Sequence, residues 1–353
     1  MLAPVKTLVY RDESLLAHDP GEGHPENARR LAAVYRSLDE DPLPGVENAE
    51  AREATPREIE RIHAPSHLVW MARTSDRARV HLEDDTATSP RTYEAALKAA
   101  GSTLAGVEAV VGGQAQGAFA LVRPPGHHAE RGYAKGFCLF NNVAIAAEHA
   151  LEEGGLRRVL VLDPAVPHGD GAQLSFWESR EVLYVSSHRY PFYPGTGAAD
   201  EIGAGPGRGY TINLPLPESA GDADIYYLYD TIVSPILRQF RPELILVSAG
   251  FDCWLRDPLG GMRQTAEGFA ALYALFRRWA DTYCPGRMVC TLEGGYDPAG
   301  VVAGARAALT AMAAPKAPDR VAEGHVSDAV DHAAHTLVHE LAPHWSGLAD
   351  VRG

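Results

Sequence analysis

Cysteine is scarce in this chain. It has four cysteines in 353 residues, at positions 138, 253, 284 and 290, none in Cys-x-x-Cys spacing. That usage excludes a disulfide framework and a zinc finger, and fits a reducing, cytoplasmic compartment. Long apolar runs are missing as well. None approaches the roughly 18 residues that a spanning helix needs, and no signal-peptide pattern opens the chain, so a soluble protein with no membrane partner is expected. Positive charge is in deficit, with 32 Lys and Arg against 46 Asp and Glu, for a net charge of -14. An acidic surface disfavours nucleic acid and leaves neutral or cationic partners. There is no internal repeat and no domain linker. The glycine-rich stretch 203–209 lacks the preceding strand and the spacing that nucleotide binding uses.

What the chain does have is alternation. Apolar, β-branched runs at 6–10, 117–122, 159–162, 182–187, 209–216, 244–249 and 288–292 predict strands. Helical periodicity predicts helices over 25–38, 55–73, 92–111, 143–152, 223–239, 265–282, 299–314 and 327–341. Strands alternating with helices over almost the whole chain imply an α/β fold, a doubly wound, mainly parallel sheet flanked by helices. A single domain over 1–353 is expected, with its core at about 9–310 and a C-terminal extension and helix over 315–353.

In such folds chemistry gathers beyond the carboxyl ends of the strands. The stretch 159–171, VLVLDPAVPHGDG, is the clearest case: a buried strand that stops at Asp163 and opens into a loop holding His168 and Asp170. Other strand ends offer the adjacent His127 and His128 after Gly126, then Asp252, and then Tyr296 after two glycines. One such residue alone is more often structural. Together, at successive strand ends, they point to hydrolysis. A histidine made basic by a buried carboxylate can activate water, and a tyrosine hydroxyl can stabilise a developing oxyanion.

The stretches that carry these residues resemble a known family. They are HPENARRL (24–31), RPPGHHA (123–129), GFCLFNNVAIAA (136–147), DPAVPHGDG (163–171), PFYPGTG (191–197), SAGFD (248–252) with DPLGG (257–261), and LEGGYD (292–297). Over about residues 9–310 the chain is similar to the histone deacetylase and acetylpolyamine amidohydrolase superfamily, of arginase-like fold, in its class II and bacterial class II-like phrasing. The resemblance implies zinc-dependent removal of acyl groups from acyl-lysine peptides or small acylated amines. It assigns His127 and His128 as the paired acid/base histidines, Asp163 and Asp170 as their carboxylates, and Tyr296 as the group polarising the amide carbonyl. Phe137 and Tyr193 would wall a narrow channel, with Leu259 near its base. Structural potassium would use Asp163 and Ser186 at one site, and the carbonyl of Phe176 with the Tyr210 region at a second.

The departure lies in the central loop. The family pattern is Asp-x-Asp-x-His-His-Gly-x-Gly, whose second Asp and first His are zinc ligands. Aligned without a gap, those positions are Ala165 and Pro167, and only the third ligand, Asp252, is kept. Residues i and i+2 of an extended segment face one side, which is why an Asp and a His so spaced converge on one ion. Ala and Pro offer no donor atom, so zinc is expected to be absent or weakly held and activity impaired or lost. His168 would reach the ion only through a local slip of the loop. The readings that follow are an impaired amide hydrolase, a non-catalytic acyl-lysine binding protein, or an acetylpolyamine amidohydrolase. Leu259 tilts the substrate toward acyl-lysine, and the acidic run Glu83–Asp85 could meet a cationic group. A homo-oligomer is left open. His332, His335 and His339 read as part of a histidine-rich amphipathic helix that packs through Val330, Leu337 and Val338, and Cys138 and Cys253 as small buried residues.

Overall fold

The computed structural model describes residues 6–348. In chain order its strands are β1 (Thr7–Tyr10), β2 (Val46–Ala49), β3 (Val80–Glu83), β4 (Thr86–Thr88), β5 (Gly117–Ala120), β6 (Val159–Asp163), β7 (Val182–Arg189), β8 (Thr211–Leu216), β9 (Leu244–Ala249) and β10 (Met288–Leu292). β3 and β4 form an antiparallel ribbon. The other eight make one sheet in the order β2-β1-β5-β10-β9-β6-β7-β8, parallel at every pairing. The expected helix-flanked parallel sheet is what forms.

Successive residues of a strand point to opposite faces. In β6, Leu160 and Leu162 pack with Leu183, Val185, Ile245 and Val247 on one side of the sheet. Val159 and Val161 pack with Val182, Leu244 and Leu246 on the other. The strand is apolar throughout because helices cover both faces. Phe269 and Leu272 of Ala266–Tyr283 and Val301 of Pro298–Ala313 close the first side. Leu104 of Thr92–Val111 and Ile145 of Asn142–Glu152 close the second.

The sequence reading misses where the pattern is weak. β2, Val-Glu-Asn-Ala, is a half-exposed edge strand, so it shows no apolar run. The acidic stretch at 83–86, for which no strand is predicted, is the end of β3, a two-residue turn and the start of β4. The helix expected over 55–73 is two short ones, Pro56–Ile59 and Pro65–Ala72, since proline starts a helix more readily than it continues one. That over 223–239 is interrupted by a π-turn at Tyr229–Val233 ahead of Pro235, which has no N–H to donate into a continuous ladder.

One buried ionic network holds the sheet's functional edge together. Glu26, fully buried, receives Arg123 in a bidentate pair, Nε to Oε1 at 2.6 Å and Nη2 to Oε2 at 2.7 Å. It also receives Arg30 Nη1 at 2.7 Å. Arg30 in turn donates to the carbonyls of Glu293, at 2.6 Å, and Gly295. The segment before the first long helix, Ala28–Glu40, is thereby tied to the carboxyl ends of β5 and β10. Glu26→Gln would leave two buried guanidinium groups short of counter-charge and is expected to cost about 3–5 kcal/mol of stability. Urea unfolding measures this, and an unchanged midpoint would show that the network does not fix these loops.

Candidate functional site

β5, β10, β9 and β6 are neighbours in the middle of the sheet. Residues far apart in the chain, at 127, 163, 252 and 296, therefore meet just beyond their carboxyl ends.

The two histidines are brought side by side, ring centroids 4.1 Å apart. Each has its own carboxylate. His127 Nδ1 lies 3.1 Å from Asp163 Oδ2, and His128 Nδ1 lies 2.9 Å from Asp170 Oδ1. The backbone that turns them inward is held by Glu293, whose Oε2 accepts from the amides of Gly126 at 2.6 Å and His127 at 3.1 Å. Asp163 is also within 3.0 Å of the Tyr184 hydroxyl. A Cβ at Gly169 would sit 2.0 Å from Asp163 Oδ2 and 2.8 Å from His127 Nδ1, so this loop approaches the pair only with glycine there.

The two pairs differ electrically. Burial opposes the His127 imidazolium, but Asp163 and Glu293 outweigh it and lift its pKa to about 9. Burial and the charge on His127 push His128 down to about 4, against the pull of Asp170. Burial raises the Tyr296 hydroxyl well above its ordinary value, so it stays a proton donor. Its ring lies 5.0 Å from the Arg30 guanidinium, and its amide donates to Asp257 at 2.6 Å.

Asp252 is fully buried. Its Oδ1 accepts from the Val166 amide at 2.7 Å, and among the described residues its Oδ2 has no hydrogen-bond partner. Burial, reinforced by Asp257, pushes its carboxyl up to about 8. Ala165 and Pro167 stand in the adjoining loop, and Val166 and Pro167 form part of the cavity wall. His168 does not replace them. Its Nδ1 is 2.8 Å from Thr196 Oγ1, and its ring packs 4.4 Å from that of His188. Among the described residues, the groups of three donor atoms close enough for one ion are His127, Cys138 and Glu293, and Glu58, Glu108 and His149. Neither includes Asp252.

Above the histidines is a cavity of about 190 Å³, lined by Phe137, Tyr193, Tyr296 and His128 among others. Phe137 is held in a left-handed conformation, φ 68°, beside Gly136 at φ 56°. That costly backbone geometry is anchored by the Phe137 amide donating to Thr86 Oγ1 at 2.9 Å. Tyr193 stands 5.4 Å from His128 and Phe137 5.8 Å from Tyr296, ring to ring. Leu259 lines the same cavity but is 43% exposed, so it belongs to the mouth and not to the base as expected. Asp85 also lines it, which puts the acidic turn next to the opening.

Asp163 and Ser186 are register partners across β6 and β7, with Ser186 Oγ 2.9 Å from His188 Nδ1. The Tyr210 carbonyl accepts from the Tyr184 amide and the Phe176 carbonyl from that of Ser179, both at 2.9 Å. His335 and His339 are exposed on Asp328–Leu341, which packs through Val330, Leu337 and Val338. Cys138 and Cys253 are buried free thiols, pushed well up by burial. Sequence reasoning missed three contributors. Glu26 and Glu293 lay inside quoted motifs but act through buried contacts, and Lys135 pairs with Asp170 without any local pattern to mark it.

Fold and site together describe an α/β protein with an aromatic-lined cavity that reaches His128, one of two adjacent histidine–carboxylate pairs. The histone deacetylase domain family matches residues 24–312, and the chain belongs to that family. It is 35% identical over 301 residues to a probable deacetylase of Archaeoglobus fulgidus, covering 84% of this chain and 83% of the relative. It is 40% identical over 309 residues to the human polyamine deacetylase HDAC10, covering 82% of this chain and 45% of that longer protein. The crystal structure of the HDA15 HD domain matches with a TM-score of 0.92 at 34% identity, over 99% of this chain and 98% of that one. No helix among the described residues is long and apolar enough to cross a membrane.

A buried acid raised from about 4 to about 8 contributes stability that is fully present below pH 4 and lost as pH rises through 8. Asp252→Asn keeps an acceptor for Val166 and cannot ionise. It is expected to stabilise the protein at pH 8 by on the order of 2–4 kcal/mol and to change little at pH 4. Urea unfolding at the two pH values would show it, and an equal effect at both would refute this account of Asp252.

Proposed function

We propose that the chain is an amide hydrolase by descent, with a channel for the acylated side chain of lysine or another acylated amine, whose zinc-dependent activity is impaired or lost. The observation that carries the reading is the surroundings of Asp252: one carboxyl, with Ala165 and Pro167 where the family places its other two ligands. Catalytic zinc takes three protein ligands, so these residues do not fit the ion. When fully held, zinc polarises the acyl carbonyl and lowers the pKa of its bound water.

What remains belongs to the chain itself. Phe137 and Tyr193 would clasp an alkyl stem and exclude water, and the Tyr296 hydroxyl would donate to the acyl oxygen. The His127 imidazolium, paired with Asp163, is a second proton donor at the channel end. The base is the weak point. His128, held near 4, would have to take a proton from ordinary water, whose pKa is about 15.7, so turnover is slow while binding persists.

That favours a second reading, a non-catalytic acyl-lysine binding protein, since the channel walls do not depend on the ion. Leu259 at the mouth carries no charge for a polyamine, which tilts the ligand toward acyl-lysine over acetylated polyamines. A monovalent cation beside Asp163 and Ser186 and a cytoplasmic location complete the proposal.

Purified protein is expected to hold less than about 0.1 zinc per chain by metal analysis, and Ala165→Asp with Pro167→His to gain both zinc and acetyl-lysine hydrolysis, by about 100-fold or more. One zinc per chain in the unaltered protein would overturn the proposal. Binding of acetyl-lysine peptide by calorimetry, without turnover, would favour the second reading, and preference for acetylputrescine would reverse the choice of ligand.

A further inference from the structure

The turn that presents Phe137 also carries a charge. Lys135 and Cys138 pair their backbones across it, with Lys135 N to Cys138 O at 3.1 Å and Cys138 N to Lys135 O at 2.9 Å. At the head of this turn Lys135 Nζ reaches Asp170 Oδ2 at 2.5 Å, and it also pairs with Glu130. The Lys135 side chain is only 14% exposed and that of Asp170 4%, so water screens the contact poorly. Asp170 offers its other oxygen to His128 Nδ1. One buried carboxylate is thus shared by an ammonium group and an imidazole.

Among the described residues, the neighbouring pair has no such third member. Asp163 faces His127, the neutral hydroxyl of Tyr184 and the Ala165 amide. We propose that Lys135 is a positioning residue that acts on His128 through Asp170, fixing the carboxylate by its charge and disfavouring a second cation on the imidazole beside it.

The other groups facing His128 are few. His127 lies against its ring, with Asp163 behind it. The Tyr193 ring stands 5.4 Å away, and His168 contributes at longer range. Lys135 and His127 are the cations of this set, and Asp170 is the anion in direct contact. The ammonium takes the negative charge that would otherwise stabilise an imidazolium. Burial and the charge on His127 already push His128 down to about 4, and the ammonium on Asp170 adds to that by weakening the carboxylate's pull.

Protonation of His128 can be read directly, whether or not the chain binds zinc or turns over a substrate. In ¹⁵N-histidine NMR titrations, with His128 assigned by its loss in His128→Asn, Lys135→Met should raise the His128 midpoint by about one pH unit or more. That is a tenfold gain in proton affinity. Lys135→Gln, which keeps a polar end without the charge, should do the same and serves if the methionine variant does not fold. Lys135→Arg, which keeps the charge, should stay within a few tenths of a unit of the unaltered protein. A folded neutral variant with an unmoved His128 midpoint overturns the proposal. So does an arginine variant that shifts His128 as far as the neutral ones, since that would mark a purely steric role.

Discussion

The buried carboxylate of Glu26 is the interaction on which the functional end of this protein depends. It satisfies Arg123, which leaves β5, and Arg30, which in turn caps carbonyls after β10. Removing a charge from such a cluster costs more than forming the cluster contributes, because each remaining ion stays buried. The cluster therefore specifies one loop arrangement more than it adds net stability. The histidine pair after β5 and the tyrosine after β10 take their relative positions from it, and the Arg30 guanidinium lies beside the Tyr296 ring it helps to place.

On the other side of the centre, the loop after β6 carries carboxylates at 163 and 170 and no donor side chain at 165 or 167. It supplies Asp163 and Asp170 to the two histidines and keeps the glycine that lets Asp163 and His127 approach. At 164–167, between them, it supplies apolar side chains. The consequence is a cavity walled by Phe137, Tyr193, Tyr296 and His128, with Val166 and Pro167 in the same lining. Asp252 is left with one oxygen bonded and one without a partner, which is why burial dominates its behaviour.

The turn at 135–138 links shape to charge. Its left-handed residues put Phe137 in the cavity wall, and its first residue pairs its ammonium group with the carboxylate beside His128. Strained backbone at a ligand channel persists only where neighbours over-determine it, and here the Thr86 hydroxyl and the paired backbones of Lys135 and Cys138 do so.

The sequence by itself determined the class of fold. Runs such as Val159–Leu162 and Leu244–Ala249 are apolar at every position, and only a strand covered on both faces needs that. It also determined the family, through motifs at strand ends, and the absence of donor atoms at 165 and 167, because those are statements about residue type. It could not show β2, whose half-exposed edge has no apolar pattern, nor the π-turn ahead of Pro235. Tertiary structure alone decided that Leu259 stands at the channel mouth, that His168 turns to Thr196 and His188 instead of Asp252, and that Lys135 and Glu293 reach the histidine pairs. The reason is physical. Local pattern reports burial averaged over an element, whereas the direction of a side chain in a loop and the charge that meets it are set by chain segments distant in sequence.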